Sequence, residues 1–453
     1  MSEVMDGLPQ PQRFQAVLTI GLGLVMAVLD GAIANLALPT IAQELNVTAA
    51  ESIWVVNSYQ LAVVMALLSL AALGDLIGYR RVYLTGMAVF TVASLGCALS
   101  QTLPELTAAR VVQGFGAAGM MSVNSALVRF VYPRAMLGRG FSLNMMIGST
   151  SSALGPSIAA AILSVAGWQW LFAINIPLGI LVITLGLRTL PATPRASHPF
   201  DFGSAALNAI TFGLLISGIE AIGHGEGRQA AALQLAGAAV AGFLLARRQV
   251  ERVNPLLPVD LLARPIFALS VIASVFSFAA QATAYVVMPF YLQVGLGLSQ
   301  VQTGILMTPW PVSVALVAPL AGRLSDKISA GKLGGFGQAL LCAGLLLLAL
   351  LPASPAPWNI AWRLSLCGIG FGLFNAPNNR TMMGSVPASR SGGASGMQAT
   401  SRLFGQTTGT AMVAVLLSLM STGSTGAALT MAAGCAAAAA VASVLRPARR
   451  RTA

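Results

Sequence analysis

The strongest constraint on this chain is a series of apolar runs, each about 20 residues long, that recurs from end to end. A helix of that length crosses roughly 30 Å of hydrocarbon. Only 8% of the 453 residues are charged, whereas a soluble domain averages about 25%. Because so few polar groups cannot cover a soluble globule, the sequence predicts an all-α, polytopic membrane protein.

The distribution of positive charge predicts how the chain crosses the membrane. We count fourteen candidate spans, centred near residues 26, 63, 91, 116, 153, 180, 213, 239, 278, 312, 343, 367, 408 and 435. With the N-terminus inside, only Arg228 falls in an outer loop, while Arg110, Arg363 and Arg402 fall within spans. All other lysines and arginines are then cytoplasmic, as the positive-inside rule requires. Both termini are therefore predicted in the cytoplasm, and the net charge of +12 reflects topology rather than nucleic-acid binding.

The chain also contains an internal repeat. The turn around Asp75 resembles the turn around Asp326, and Arg110, with two glycines after it, resembles Arg363 at nearly the same offset. The alternative is a chance pairing of glycine-rich turns. The repeat predicts a cytoplasmic tail (1–13), a six-helix bundle (14–190), an inserted helix pair (203–248), a second six-helix bundle (265–446) and a basic tail (447–453). Repeated halves with a site at their interface are the architecture of alternating-access transporters.

Asp30 lies inside the first apolar run, residues 14–38. A carboxylate near the middle of the membrane costs about 2.5–3.5 kcal/mol on insertion scales, so such residues are usually functional. Carrying a proton is the commonest function. The alternative is a structural carboxylate that is bonded to a neighbouring helix.

Four segments resemble signatures of the major facilitator superfamily, specifically its fourteen-span drug:proton antiporter branch. They are residues 29–39 in the first span, 71–81 after the second, 110–118 in the fourth and 154–156 in the fifth. The second segment departs from the family pattern, with Ala71 for a glycine and with Leu76 and Tyr79 for basic residues. The resemblance implies the major facilitator fold: two six-helix bundles plus two inserted helices, with fourteen transmembrane helices.

The resemblance also implies roles for individual residues. Asp30 and Arg110 are assigned to proton coupling, because spans one and four both line the cavity in this fold; an arginine bonded only to backbone carbonyls is the alternative. The remaining assignments are a cytoplasmic gating motif at Asp75, Gly78, Arg80, Arg81 and Asp326, an antiporter motif at Gly155 and Pro156, and a substrate cavity with Gln113, Gln281, Tyr285 and Arg363.

Several of these residues have structural alternatives. For Gln281 and Tyr285, a hydrogen bond to a neighbouring helix is as well supported as lining the cavity. For Arg363, a structural role is as well supported as a functional one. Glu220 is expected at the membrane interface, with proton coupling as the alternative, and Arg402 is expected to be structural or to extend its side chain to the interface.

The predicted function is a secondary active transporter of the inner membrane. It would export small amphiphilic molecules or drugs in exchange for protons by alternating access, as a monomer and without any cofactor beyond the proton motive force. A dedicated exporter of a metabolite or self-made antibiotic is the alternative, and a non-transporting receptor or assembly factor is the alternative from another class. No enzyme activity and no metal site are predicted, because the four cysteines and two histidines form no close cluster.

Overall fold

A computed structural model describes residues 7–133, 136–193, 195, 200–224, 228–250, 259–352, 354–386, 391–419 and 424–446. Every regular element in these residues is helical. The helices are α1 (Gln12–Glu44), α2 (Ala49–Ser52), α3 (Trp54–Ile77), α4 (Tyr79–Leu99), α5 (Leu103–Val131), α6 (Leu137–Leu163), α7 (Gln169–Ala173), α8 (Asn175–Thr189), α9 (Phe202–His224), α10 (Arg228–Val250), α11 (Val259–Leu262), α12 (Pro265–Phe290), a π-helical turn (Tyr291–Gly295), α13 (Gln300–Met307), α14 (Pro309–Lys327), α15 (Ala330–Ala349), α16 (Pro357–Gly384), α17 (Ser391–Leu419) and α18 (Ser424–Val444).

Among the described residues, eleven helical segments are long and apolar enough to cross a membrane. This confirms the all-helical membrane prediction. The predicted spans centred near 153, 367 and 408 fall on α6, α16 and α17, which are long but are not among the eleven. Fourteen spans therefore remain a prediction. The basic tail 447–453 and the side chains of Glu220 and Asp326 lie outside the described part of the chain.

The chain divides into two compact units. Unit 1 comprises Met1–Val47 and Trp54–Ala209, and unit 2 comprises Thr48–Ile53 and Ile210–Ala453. The division falls within α9, in the first helix of the predicted inserted pair. The predicted domain boundaries remain predictions.

In unit 1, α5 packs between α3 and α4, while α1 packs against α5, α6 and α8. Glycines allow the close approach. A Cβ on Gly114 would lie 2.5 Å from the carbonyl oxygen of Tyr59 in α3, and one on Gly116 would lie 2.7 Å from that of Gly86 in α4. Small residues that let backbones approach are typical of helix pairs in membranes.

Unit 2 contains the same pair of contacts. There α16 packs between α14 and α15, and α12 packs against α17 and α18. A Cβ on Gly368 would meet the carbonyl oxygen of Trp310 in α14, and one on Gly370 would meet that of Gly337 in α15. The two units thus share a glycine-based packing pattern, in agreement with the repeat read from the sequence.

The glycine contacts also correct the register of that repeat. If Gly114 corresponds to Gly368, the counterpart of Arg110 is the fully buried Leu364 and not Arg363. With 3.6 residues per turn, one position rotates a side chain by about 100° around the helix. Arg363 therefore leaves its helix in a different direction from Arg110.

Candidate functional site

Asp30 is buried at the centre of a polar cluster in unit 1. Its side chain is 1% exposed and forms an ion pair with Arg110 of α5. One carboxylate oxygen also accepts hydrogen bonds from Gln113 Nε2 and Asn175 Nδ2, each at 3.0 Å. Three residues from two other helices therefore donate to the carboxylate of Asp30.

Arg110 is fully buried and is held by more than its ion pair. Its Nε donates to the carbonyl oxygen of Val55 at 2.8 Å, and its Nη1 donates to Gln113 Oε1 at 2.7 Å. The guanidinium carbon lies 4.2 Å from the centroid of the Tyr59 ring and 5.4 Å from that of Phe172. Aromatic faces attract a cation most strongly where water is excluded. The arginine therefore keeps favourable contacts that do not involve Asp30.

Gln113 connects the pair to α4. Its Nε2 also donates to Ser94 Oγ at 2.9 Å, and its Oε1 lies 3.5 Å from the sulfur of Cys97. Both groups of the amide are thus used, the oxygen as an acceptor for Arg110 and the nitrogen as a donor to Asp30. Sequence reasoning placed Gln113 in the substrate cavity, whereas the structure gives it bonds to the charged pair.

The site contains residues that the sequence analysis did not identify as functional. Asn175, the first residue of α8, is 5% exposed and donates directly to Asp30. Tyr59 and Phe172 supply the aromatic faces around Arg110. A carboxamide inside an apolar run was the available signal for Asn175, but its partner depends on how α8 packs against α1.

The cytoplasmic motif forms a tight turn between α3 and α4. Gly78 has φ of +98°, a conformation that side chains other than glycine rarely adopt. Tyr79 donates through its hydroxyl to Asp75 Oδ1 and through its backbone N–H to Thr193 Oγ1 at 2.9 Å. Arg80 donates to the carbonyl oxygen of Leu187 at the end of α8. The turn is thus fastened to the segment that follows α8.

Asp75 accepts its hydrogen bond from Tyr79, the first residue of α4 and one of the residues that departs from the family pattern. Arg81 is exposed at the start of α4. Gly155 and Pro156 are buried within α6, where the proline is accommodated without ending the helix.

In unit 2, the other predicted cavity residues lie on two helices, Gln281 and Tyr285 on α12 and Arg363 on α16. Gln281 and Tyr285 are half-buried in α12, and the Tyr285 ring packs edge-to-face on Trp310 of α14. Arg363 Nη1 donates to the carbonyl oxygen of Leu347 at 2.6 Å, and its guanidinium lies near the ring of Trp362. No hydrogen bond or ring contact within the described chain joins Arg363 to the two α12 residues.

Asp30–Arg110 is the one ion pair found among the described residues. The same residues contain no group of three or more His, Cys, Asp or Glu side chains that could hold a metal ion. The arrangement places a carboxylate among three donors, Arg110, Gln113 and Asn175, away from solvent.

Comparison with known proteins places the chain among membrane transporters. Residues 20–410 match the family described as "Major Facilitator Superfamily". An "Uncharacterized transporter YebQ" of Escherichia coli (strain K12) is 56% identical over 91% of each chain. The "Riboflavin transporter RibZ" of Clostridioides difficile (strain 630) is 30% identical over 88% of this chain and 87% of its own. The "Multidrug resistance protein Stp" of Mycobacterium tuberculosis (strain CDC 1551 / Oshkosh) is 31% identical over 89% of this chain and 75% of its own.

Proposed function

The chain belongs to the Major Facilitator Superfamily, and from that premise we propose that it exports small amphiphilic molecules in exchange for protons by alternating access. It is a multi-pass membrane transporter and not an enzyme. The proposal further places it in the fourteen-span drug:proton antiporter branch, as a monomer in the inner membrane with both termini in the cytoplasm. The proton motive force is its proposed energy source.

The observation that carries proton coupling is the set of donors around Asp30. An ionised carboxylate accepts hydrogen bonds only, whereas a protonated one also donates. Arg110, Gln113 and Asn175 all donate to it. A proton on Asp30 would therefore compete with at least one of these donors, and its uptake would loosen the contacts of α1 with α5 or α8.

The surroundings of Arg110 would let the ion pair break without leaving the buried guanidinium without partners. When Asp30 is neutral, Arg110 would keep the Val55 carbonyl, the Gln113 carbonyl and the Tyr59 ring. The largest cost of breaking a buried pair is the charge left without a partner. These contacts reduce that cost, so that protonation and helix movement can be coupled in a reversible cycle.

The energetics are sufficient for export without ATP. One elementary charge that crosses 100 mV is worth about 2.3 kcal/mol, and about 1.4 kcal/mol supports a tenfold concentration ratio. One or two protons per substrate would therefore drive useful efflux.

The charges of the membrane-embedded part bear on the class of substrate. Asp30 is neutralised by Arg110, and unit 2 contributes Arg363. This balance favours a neutral, zwitterionic, singly charged or anionic amphiphile over a dication. Drug efflux is supported by the relative named as a multidrug resistance protein, and a dedicated metabolite transporter, the second candidate, by the relative named as a riboflavin transporter.

The decisive test is active efflux of a fluorescent amphiphile from cells that lack their own pumps. We expect efflux by the wild type to be abolished by a protonophore and by Asp30→Asn at matched membrane levels. Glu44→Gln is the matched control, because it makes the same carboxylate-to-amide change at the exposed end of the same helix. Protonophore-sensitive efflux that survives Asp30→Asn would remove Asp30 from the coupling step.

The two substrate classes are separated by the same cells. A multidrug exporter lowers the accumulation of several unrelated amphiphiles, whereas a dedicated transporter moves one metabolite and leaves the dyes unchanged. Loss of riboflavin from preloaded cells, without any effect on the dyes, would favour the second candidate.

A further inference from the structure

The repeat places an aromatic cluster in unit 2 at the position that the charged cluster occupies in unit 1. Tyr59 and Trp310 correspond, because the carbonyl oxygen of each lies against the matching glycine of α5 or α16. In unit 1, Arg110 lies over the Tyr59 ring. In unit 2, Leu364 takes the place of Arg110, so the same location in the fold is lined by apolar and aromatic groups.

Two ring pairs form this cluster. Phe278, Gln281 and Tyr285 are spaced at i, i+3 and i+7 on α12 and therefore share one face of the helix. Tyr285 packs edge-to-face on Trp310 with centroids 5.3 Å apart, and Phe278 packs in the same way on Phe371 of α16, also at 5.3 Å. The half-buried Gln281 lies between the two pairs along α12 and supplies an amide.

Trp310 provides the observation that points to a ligand. The residue is fully buried, and its indole Nε1–H has no hydrogen-bond partner within the described chain. Buried indole N–H groups usually find an acceptor, because leaving the bond unmade costs free energy. Trp310 is thus a buried donor without an acceptor in the described chain, and its ring lies against the ring of Tyr285.

We propose that this cluster, formed by Phe278, Gln281, Tyr285, Trp310 and Phe371, binds a planar conjugated ring system that carries a hydrogen-bond acceptor. The ring of the ligand packs against the aromatic side chains, and its acceptor receives the Trp310 Nε1–H. Because Trp310 is covered and Tyr285 is only half-buried, the ligand reaches the indole when the Tyr285 ring turns aside. The inference rests on the proposed transport function and specifies the class of substrate.

Binding of two matched fluorescent probes to the purified full-length protein tests this proposal. Acridone and carbazole are both planar tricyclic molecules with one N–H, but only acridone carries a ring carbonyl acceptor. Fluorescence anisotropy in detergent, corrected with protein-free micelles, gives both dissociation constants. We expect the wild type to bind acridone about tenfold more tightly than carbazole, the value of one hydrogen bond to an otherwise unpaired buried donor.

Trp310→Phe keeps an aromatic ring and removes the N–H, so we expect the preference for acridone to disappear while carbazole binding is retained. Trp358→Phe is the matched control, because Trp358 lies at the start of α16 and is 69% exposed. If Trp310→Phe is not monodisperse, Tyr285→Leu, which removes a packing ring, and Gln281→Leu, which removes the amide, provide the second measurement. Both are expected to weaken the binding of either probe, and unchanged binding in both would overturn the proposal.

The proposal is overturned if the wild type binds neither probe, if it binds both equally, or if Trp310→Phe retains the preference. The measurement needs neither a membrane nor a proton gradient. Asp30→Asn should bind acridone like the wild type, so a failure of proton coupling leaves this result unchanged. Conversely, normal proton-driven efflux together with absent probe binding would reject the aromatic site alone.

Discussion

The Asp30–Arg110 pair can be tested as a thermodynamic unit by a double-mutant cycle with leucine at both positions. Asp30→Leu leaves Arg110 fully buried with only the Val55 and Gln113 oxygens as acceptors. Arg110→Leu leaves the buried carboxylate with two neutral amide donors. Breaking a buried pair by removing one partner costs about 3–5 kcal/mol, so each single variant should be destabilised by that amount.

The double variant should lose much less than the two single variants together. Replacing a whole buried pair by apolar residues is often neutral or stabilising. Asn175 loses the acceptor of its hydrogen bond, at about 1–3 kcal/mol. The Val55 and Gln113 oxygens lose their donor in the single Arg110→Leu variant as well, so this loss cancels from the coupling energy. Gln113 keeps its bond to Ser94. We therefore expect a coupling energy of at least about 3 kcal/mol between Asp30 and Arg110.

The free energy of unfolding of each variant can be measured in mixed micelles of dodecyl maltoside and dodecyl sulfate, with tryptophan fluorescence as the probe of unfolding. A second cycle that combines Asp30→Leu with Arg80→Leu is the control, because the hydrogen bond of Arg80 goes to the Leu187 carbonyl and not to Asp30. Its effects should add within about 0.5 kcal/mol. Additive effects of Asp30→Leu and Arg110→Leu would refute the reasoning, since they would mean that the two charges do not stabilise each other.

Three further predictions concern other parts of the chain. Asn175→Leu removes one hydrogen bond to a charged group, worth about 1.5–3 kcal/mol, and should reduce proton-driven efflux at least tenfold at matched membrane levels; unchanged efflux would contradict this. Gly78→Ala forces a side chain into a positive φ and should lower stability by about 1–3 kcal/mol in micelle unfolding, whereas Gly322→Ala, with nothing within 4 Å, should be tolerated. Burial lowers the pKa of Arg446 to about 10, so the side chain is still charged at pH 7 without an ion-pair partner in the described chain. Arg446→Met should therefore leave stability at pH 7 unchanged or higher, and a marked loss would show that this charge has a partner.

The membrane class and the central pair of the site were open to prediction from the sequence for a simple physical reason. Charges are so costly in hydrocarbon that the few within spans, Asp30 and Arg110 among them, are candidates for function and for pairing with each other. The structure joins them in an ion pair. Whether this pair carries protons stays a prediction until it is measured.

The neighbours of the pair could not be predicted in the same way. Asn175, Ser94 and Tyr59 are residue types that occur in membrane helices for many reasons, and no spacing connects them to Asp30. Their role follows from the packing of α8, α4 and α3 around α1 and α5. Likewise, Tyr79 was read as a departure from a basic residue, and only the turn geometry shows that its hydroxyl reaches Asp75.

The register of the repeat shows how a small error in alignment changes a functional assignment. Matching one arginine with another paired Arg110 with Arg363, but the glycines that contact Tyr59 and Trp310 pair it with Leu364. Backbone contacts are the better guide, because a Cβ on either glycine would clash with the facing carbonyl oxygen, whereas the side chains of Arg110 and Leu364 differ while the same glycine contacts occur in both units. The two units can therefore keep the same helix packing and differ in the side chains at the corresponding position. Unit 1 uses the shared position for a charged pair, and unit 2 uses it for Trp310 and its aromatic neighbours. The proposed coupling of a proton to an apolar substrate would account for this asymmetry, because a site that holds an ionised carboxylate and a site that holds an apolar ring impose opposite demands on the same space.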